Sequence, residues 1–131
     1  MDTIKPGQIG EQTVTVTPDL TAKHLGSGSI TVYATPAMIA LMEYAAVAAL
    51  DPVLAEGQSS VGVEIAVKHL AATPLGHQVK ARAEVTAVDG RRVSFRVQAW
   101  DEQELIGEGT HTRVVIDVAR FMGRVEGKRK K

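Results

Sequence analysis

The sequence predicts an α+β domain in which an antiparallel sheet of about five strands wraps around one long central helix. Three observations carry this. Residues 36–50, PAMIALMEYAAVAAL, are dominated by good helix formers and are apolar around nearly the whole circumference. The segments around them alternate apolar and polar residues, the period of a half-buried strand. The order is one strand, the helix, then four strands, so a single helix must cover one apolar sheet face. At 131 residues the chain has room for one core, and 1–131 is read as a single domain.

The first strand falls on 11–17, EQTVTVT. Residues 19–30, DLTAKHLGSGSI, hold a Gly-Ser stretch and read as a flexible loop. They lack the Lys and Gly spacing of a phosphate-binding loop. Pro36 suits the first position of the helix and Thr35 its N-cap. Asp51 and Pro52 end it. After a loop over 53–58, Val61, Val63, Ile65, Val67 and His69 share one face of a strand. Val79, Ala81, Ala83, Val85 and Ala87 share a face of the next, with Lys80, Arg82, Glu84 and Thr86 opposite. Asp89-Gly90 signals a hairpin. Val93, Phe95, Val97 and Ala99 then alternate with Arg92, Ser94, Arg96 and Gln98. A turn over 101–104 leads into a last strand, 105–116. The tail, 117–131, reads as a short helix around 118–125 and a basic end, Lys128 to Lys131. A sheet wrapped round a central helix is the hot-dog arrangement. The helix is too apolar for a lone domain this small, so a second subunit is expected. A twofold homodimer is the default, with pairing into a tetramer left open.

Composition narrows the function. Lys plus Arg equals Asp plus Glu at 15 each, so no net charge draws the chain to nucleic acid or to an anionic membrane. With no cysteine there is no thiolate nucleophile and no disulfide. Residues 1–10 lack the apolar core of a signal peptide. The apolar run 34–50 is broken by Thr35, Pro36 and Glu43 and is shorter than the roughly 20 residues of a membrane span. A cytoplasmic setting is expected. No His and carboxylate spacing matches a metal site, so none is expected.

Three residues stand out chemically. Glu43 is the one charged residue between Ala37 and Leu50. A carboxylate among apolar neighbours is costly unless paired, and burial raises its pKa toward the range of a general acid or base. It either does chemistry or meets a structural partner. His69 points inward at the end of its strand and is either a core histidine bonded to backbone or a proton carrier. Thr35 is either a plain N-cap or part of a site, since it lies about 80° around the helix from Glu43 and two turns before it. His24 sits in the loop, where it could gate a site. His77 follows Gly76 at a turn, and His111 alternates with Arg113 on the last strand.

With these placed, the chain resembles the fluoroacetyl-CoA thioesterase family. The resemblance lies in ATPAMIALMEYAAVAAL (34–50), SSVGVEIAVKHLAATPLGHQVKARAEVTAVDGRRVSFRVQAWD (59–101) and IGEGTHTRVVIDVARF (106–121). The Thr-to-Glu-to-His spacing and the V-G-V…K-H-L-A-A-T-P-x-G run are its most specific parts. It implies that Thr35, Glu43 and His69 form the catalytic set. It implies that Gly62, before the His, lets a thioester approach the backbone, and that Arg113 serves binding or dimer support. Tyr33 and His24 are the expected substrate-side residues of the lid. The activity implied is hydrolysis of a short acyl-CoA, with coenzyme A entering as part of the substrate and no other cofactor. The lid departs from the family: over 20–33 Tyr33 is the one aromatic residue, so the acyl group is expected to be small but not fluoroacetyl in particular. Rival expectations are another hot-dog enzyme such as a hydratase or dehydratase, a non-catalytic acyl-CoA binding domain, and a structural protein in which Glu43 pairs with a partner's cation.

Overall fold

The computed structural model describes residues 3–130. Five strands form one antiparallel sheet in the order β1-β3-β4-β5-β2. They are β1 (Ile9–Thr15), β2 (Gln58–His69), β3 (Gln78–Asp89), β4 (Arg92–Trp100) and β5 (Leu105–Asp117). The helices are α1 (Ala22–Leu25), α2 (Thr35–Leu50) and α3 (Val118–Gly127). This is the hot-dog arrangement, with α2 as the central helix. The basic end continues from α3 as a 3-10 turn, Lys128–Lys130, while Met1, Asp2 and Lys131 lie outside the described residues.

The core is built where small residues let helix and sheet approach. Gly10 of β1 lies so close to α2 that a Cβ there would overlap the backbone of Ala45 and Ala49. Ala81 and Ala83 of β3 are fully buried beside Val79 and Val85. From α2, Met38, Leu41, Met42, Ala45, Ala46, Ala49 and Leu50 are buried. Val93, Phe95, Val97 and Ala99 of β4 complete the face, as their alternation predicts. Length and composition alone would let Thr35–Val53 cross a bilayer, yet here that stretch is the core helix. Burial is not complete: Tyr44 is exposed, and so is Ala40.

Three local expectations are corrected. First, Val61 and Val63 do not share a face with Ile65, Val67 and His69. The pairing of β2 with β5 slips between Gly62 and Glu64. One extra residue, Val63, moves the inward phase from Ser60 and Gly62 to Ile65 and its successors. A second slip between Val85 and Ala87 turns Ala87 outward and pairs Val88 with the buried Val93. Second, Ala34, not Thr35, is the N-cap of α2, and it makes no side-chain cap bond. Thr35 is the first helical residue, and its hydroxyl is used elsewhere. Third, the 19–30 loop is partly ordered: a 3-10 turn, Pro18–Leu20, leads into α1, which Gly26 ends at φ 76. Gly tolerates that left-handed conformation without a Cβ penalty. The hairpin expected at Asp89-Gly90 forms one residue later: Asp89 pairs with Arg92 across Gly90 and Arg91.

Candidate active site

The candidate residues gather at two places along the contact of α2 with β2. The first is at the start of α2. Thr35 Oγ1 and His69 Nδ1 share a hydrogen bond of 2.7 Å. They line a cleft of about 360 Å³ together with Tyr33, Val32, Ala22 and Ala71. His69 Nε2 is buried without a hydrogen-bond partner among the described residues, and so is the Tyr33 hydroxyl. Burial pushes the pKa of His69 below the ordinary histidine value, with the Ala71 backbone opposing. Burial raises that of the Tyr33 phenol. His69 is therefore neutral near pH 7, with one ring nitrogen engaged and one free.

The segment opposite is held by its own network. The Tyr33 N–H donates to the Thr73 carbonyl, and the Thr73 hydroxyl donates to Asp101 Oδ2 at 2.7 Å. Asp101 in turn accepts from the N–H groups of Gln103 and Glu104. The turn between β4 and β5 thus fixes the wall of the cleft.

The second place is two helical turns further on. Glu43 faces Arg113 of β5, with Oε2 and Nη1 3.9 Å apart. The Arg113 side chain is 8% exposed and that of Glu43 41%. This is an ion pair at the limit of contact, with the cation buried and the carboxylate open to solvent. Gly62 sits beneath it. A Cβ at Gly62 would lie 2.9 Å from Glu43 Oε2 and 3.1 Å from His111 Cε1. The missing side chain is what leaves room for the carboxylate.

Within one chain the two places do not meet. Thr35 and Glu43 are eight residues apart, about 12 Å along the helix axis. Gly62 and His69 lie about 20 Å apart along β2, allowing for the bulged residue. The Thr35 hydroxyl is bonded to His69, not to Glu43. His24 is exposed on α1 and lines neither place, although its neighbours Ala22 and Ser27 line the cleft. No group of three His, Asp or Glu residues among the described residues is placed to hold a metal ion.

A family model described as fluoroacetyl-CoA-specific thioesterase matches residues 16–119. The chain belongs to this family. The fluoroacetyl-CoA thioesterase of Streptantibioticus cattleyicolor is 41% identical over 97% of this chain and 96% of its own length. A crystal structure of a point mutant of the fluoroacetyl-CoA-specific thioesterase superposes with a TM-score of 0.91 at 40% identity, covering 98% of this chain and 99% of the other. A thioesterase superfamily member from Thermus thermophilus gives the same TM-score at 30% identity, covering 99% and 96%.

Sequence reasoning set His111 beside Arg113 on the last strand without giving it a role, and it missed Ser60 and the Glu64 carbonyl. His111 and Ser60 bond Arg113, and the Glu64 carbonyl bonds His111. A signal existed for His111: two residues apart on a strand, it and Arg113 must share a face. No signal existed for Ser60, because the bulge at Val63 inverts the phase that a regular strand would have.

Proposed function

We propose that the protein hydrolyses the thioester of a small acyl group on coenzyme A to the free acid and the thiol, with Thr35, Glu43 and His69 carrying the reaction. The observation that carries this is the Thr35–His69 hydrogen bond inside the cleft of a fluoroacetyl-CoA-specific thioesterase family member. A neutral histidine with one nitrogen free can take up a proton and return it to a leaving thiolate. Thr35 orients the ring. The first-turn N–H groups of Thr35 and Ala37 have no helical carbonyl to bond and suit the oxyanion of the tetrahedral intermediate. Glu43 supplies the carboxylate, as nucleophile or as base toward water. Hydrolysis needs no metal or cofactor in this scheme, and coenzyme A enters as part of the substrate.

The working unit is a homodimer. β2 is an edge strand twelve residues long, and an exposed edge of that length invites pairing with a second copy. Val63 on it and Tyr44 on α2 are exposed apolar groups. One thioester carbonyl cannot meet Glu43 and His69 of one chain across the separation above. Glu43 of one copy therefore faces the Thr35–His69 pair of the other. A cytoplasmic setting fits a chain that acts on acyl-CoA.

The test is thiol release from acetyl-, fluoroacetyl-, butyryl-, phenylacetyl- and benzoyl-CoA by wild type and Glu43→Gln. Cleavage of at least one thioester, with the variant nearly inactive, is expected. Acyl-CoA bound but never cleaved would replace the enzyme with a binding domain. For the dimer, inactive Glu43→Gln and His69→Ala chains are mixed and refolded together. Return of about a quarter of wild-type activity is expected from one repaired site in half of the dimers. No return would place both groups in one chain.

A further inference from the structure

We infer that His111, held as its neutral Nδ1–H tautomer, is a positioning residue that fixes the Arg113 guanidinium against Glu43. This rests on Glu43 being the working carboxylate proposed above.

The geometry assigns each proton. His111 Nδ1 lies 2.7 Å from the Glu64 carbonyl oxygen, which can only accept, so Nδ1 carries the hydrogen. Nε2 then holds a lone pair. Arg113 Nη1, which can only donate, lies 3.2 Å from it. Arg113 also donates from Nε to Ser60 Oγ at 2.8 Å and from Nη2 to the Ser60 carbonyl at 2.9 Å. The guanidinium is thus held on three sides, and the Nη1 shared with His111 is the nitrogen nearest Glu43. Phe95 of β4 stacks on the His111 ring, with centroids 5.9 Å apart, and keeps it from turning. Ser60, Gly62 and Glu64 all belong to β2, and the slip at Val63 is what brings the Glu64 carbonyl to a histidine that pairs with Ile65.

The tautomer has a consequence. Protonation of His111 would set an Nε2–H against the Nη1–H groups of Arg113, two donors face to face. Among the described residues the charged groups acting on the ring are Arg113 on β5 and Glu43 on α2, and Asp51 after α2 also acts on the guanidinium; β2 presents a carbonyl and β4 an aromatic ring. Burial lowers the His111 pKa, the Glu64 carbonyl opposes, Arg113 lowers it further and Glu43 opposes. The ring therefore takes up its proton below the ordinary histidine value. At lower pH its protonation releases the guanidinium and with it the setting of Glu43.

The test compares two variants. Gln at 111 keeps one donor and one acceptor and cannot titrate. Phe keeps the volume and the stacking on Phe95 but offers no acceptor. His111→Phe is expected to lower kcat by about 100-fold with KM little changed, the scale of a catalytic group shifted by an ångström. His111→Gln is expected to stay within about tenfold of wild type and to lose the acid-side fall in kcat that His111 causes. Wild-type kcat in the Phe variant, or an unchanged acid limb in the Gln variant, overturns the assignment. A substrate-free arm keeps it separate from the thioesterase proposal. Nitrogen NMR of the wild type should show His111 as the Nδ1–H tautomer and the Arg113 Nη protons as resolved signals, averaged in the Phe variant. An Nε2–H tautomer sinks the inference whatever the enzyme cleaves. A protein with the right tautomer that cleaves no thioester sinks only the proposed reaction.

Discussion

Two histidines on the inner face of the sheet are treated in opposite ways. His69 has one nitrogen bonded to Thr35 and the other buried without a partner among the described residues. His111 has both nitrogens committed, one to a backbone carbonyl and one to a buried arginine. Burial lowers the pKa of each, so both are neutral near pH 7. The difference lies in what a proton would do. At His69 it can enter and leave without breaking a network. At His111 it breaks one. A free nitrogen suits transfer, and two engaged nitrogens suit support.

The largest expected effect comes from the transfer side. His69→Ala should lower kcat by about 10²- to 10⁴-fold, the range for a general acid–base group. Its melting temperature should fall little, since the residue is only half-buried and one of its nitrogens has no bond to lose. Thiol-release kinetics and a thermal melt on the same preparation check both halves. A variant that loses stability in step with activity would make His69 a core residue.

The support side should show the opposite balance. Arg113→Ala strands the His111 and Ser60 acceptors and opens a cavity, so it should cost about 2–4 kcal/mol in a denaturant titration. A loss of activity without a loss of stability would show that the network carries no folding energy.

Two glycines sharpen the contrast further. Gly62→Ala places a Cβ against the movable end of Glu43. It should lower kcat about tenfold while changing stability by less than about 1 kcal/mol. Gly10→Ala meets fixed backbone in α2 and should cost about 1–3 kcal/mol. If Gly62→Ala proved the more destabilising in parallel melts, the site around Glu43 would be rigid rather than open.

The smallest effect is pH dependence. Both histidines have folded pKa values below the unfolded value of about 6.5. A neutral buried histidine stabilises the fold above that unfolded value. The contribution is lost as pH falls below it toward the lowered folded values, because the unfolded chain then binds the proton more readily. Stability measured from pH 7.5 down to 5 should decline, and less so in His111→Gln. A flat profile in the wild type would mean that neither ring is buried in solution.

Much of the fold was legible in the chain. The β4 alternation of Val93, Phe95, Val97 and Ala99 is the buried face observed, and 36–50 is the helix to within one residue. The misses share a cause. Periodicity assumes a regular strand, and the bulges at Val63 and Thr86 add one residue without any mark in local composition. One residue is enough to exchange the faces, which hid Ser60 and misplaced Val61 and Ala87. Thr35 was misjudged for a related reason. A hydroxyl at a helix start bonds to the first turn by default, and only the arrival of β2 offers it His69 instead.

The sequence by itself determined the architecture, because an apolar helix and five alternating segments leave few ways to bury their surfaces. It also singled out Glu43, His69 and Thr35 as residues whose chemistry their surroundings do not require. Tertiary structure alone decided how they are grouped. Thr35 went with His69, and Glu43 with Arg113, Gly62 and His111, because hydrogen bonds follow distances across the sheet. Those distances are set by strand register, which no local run of residues records.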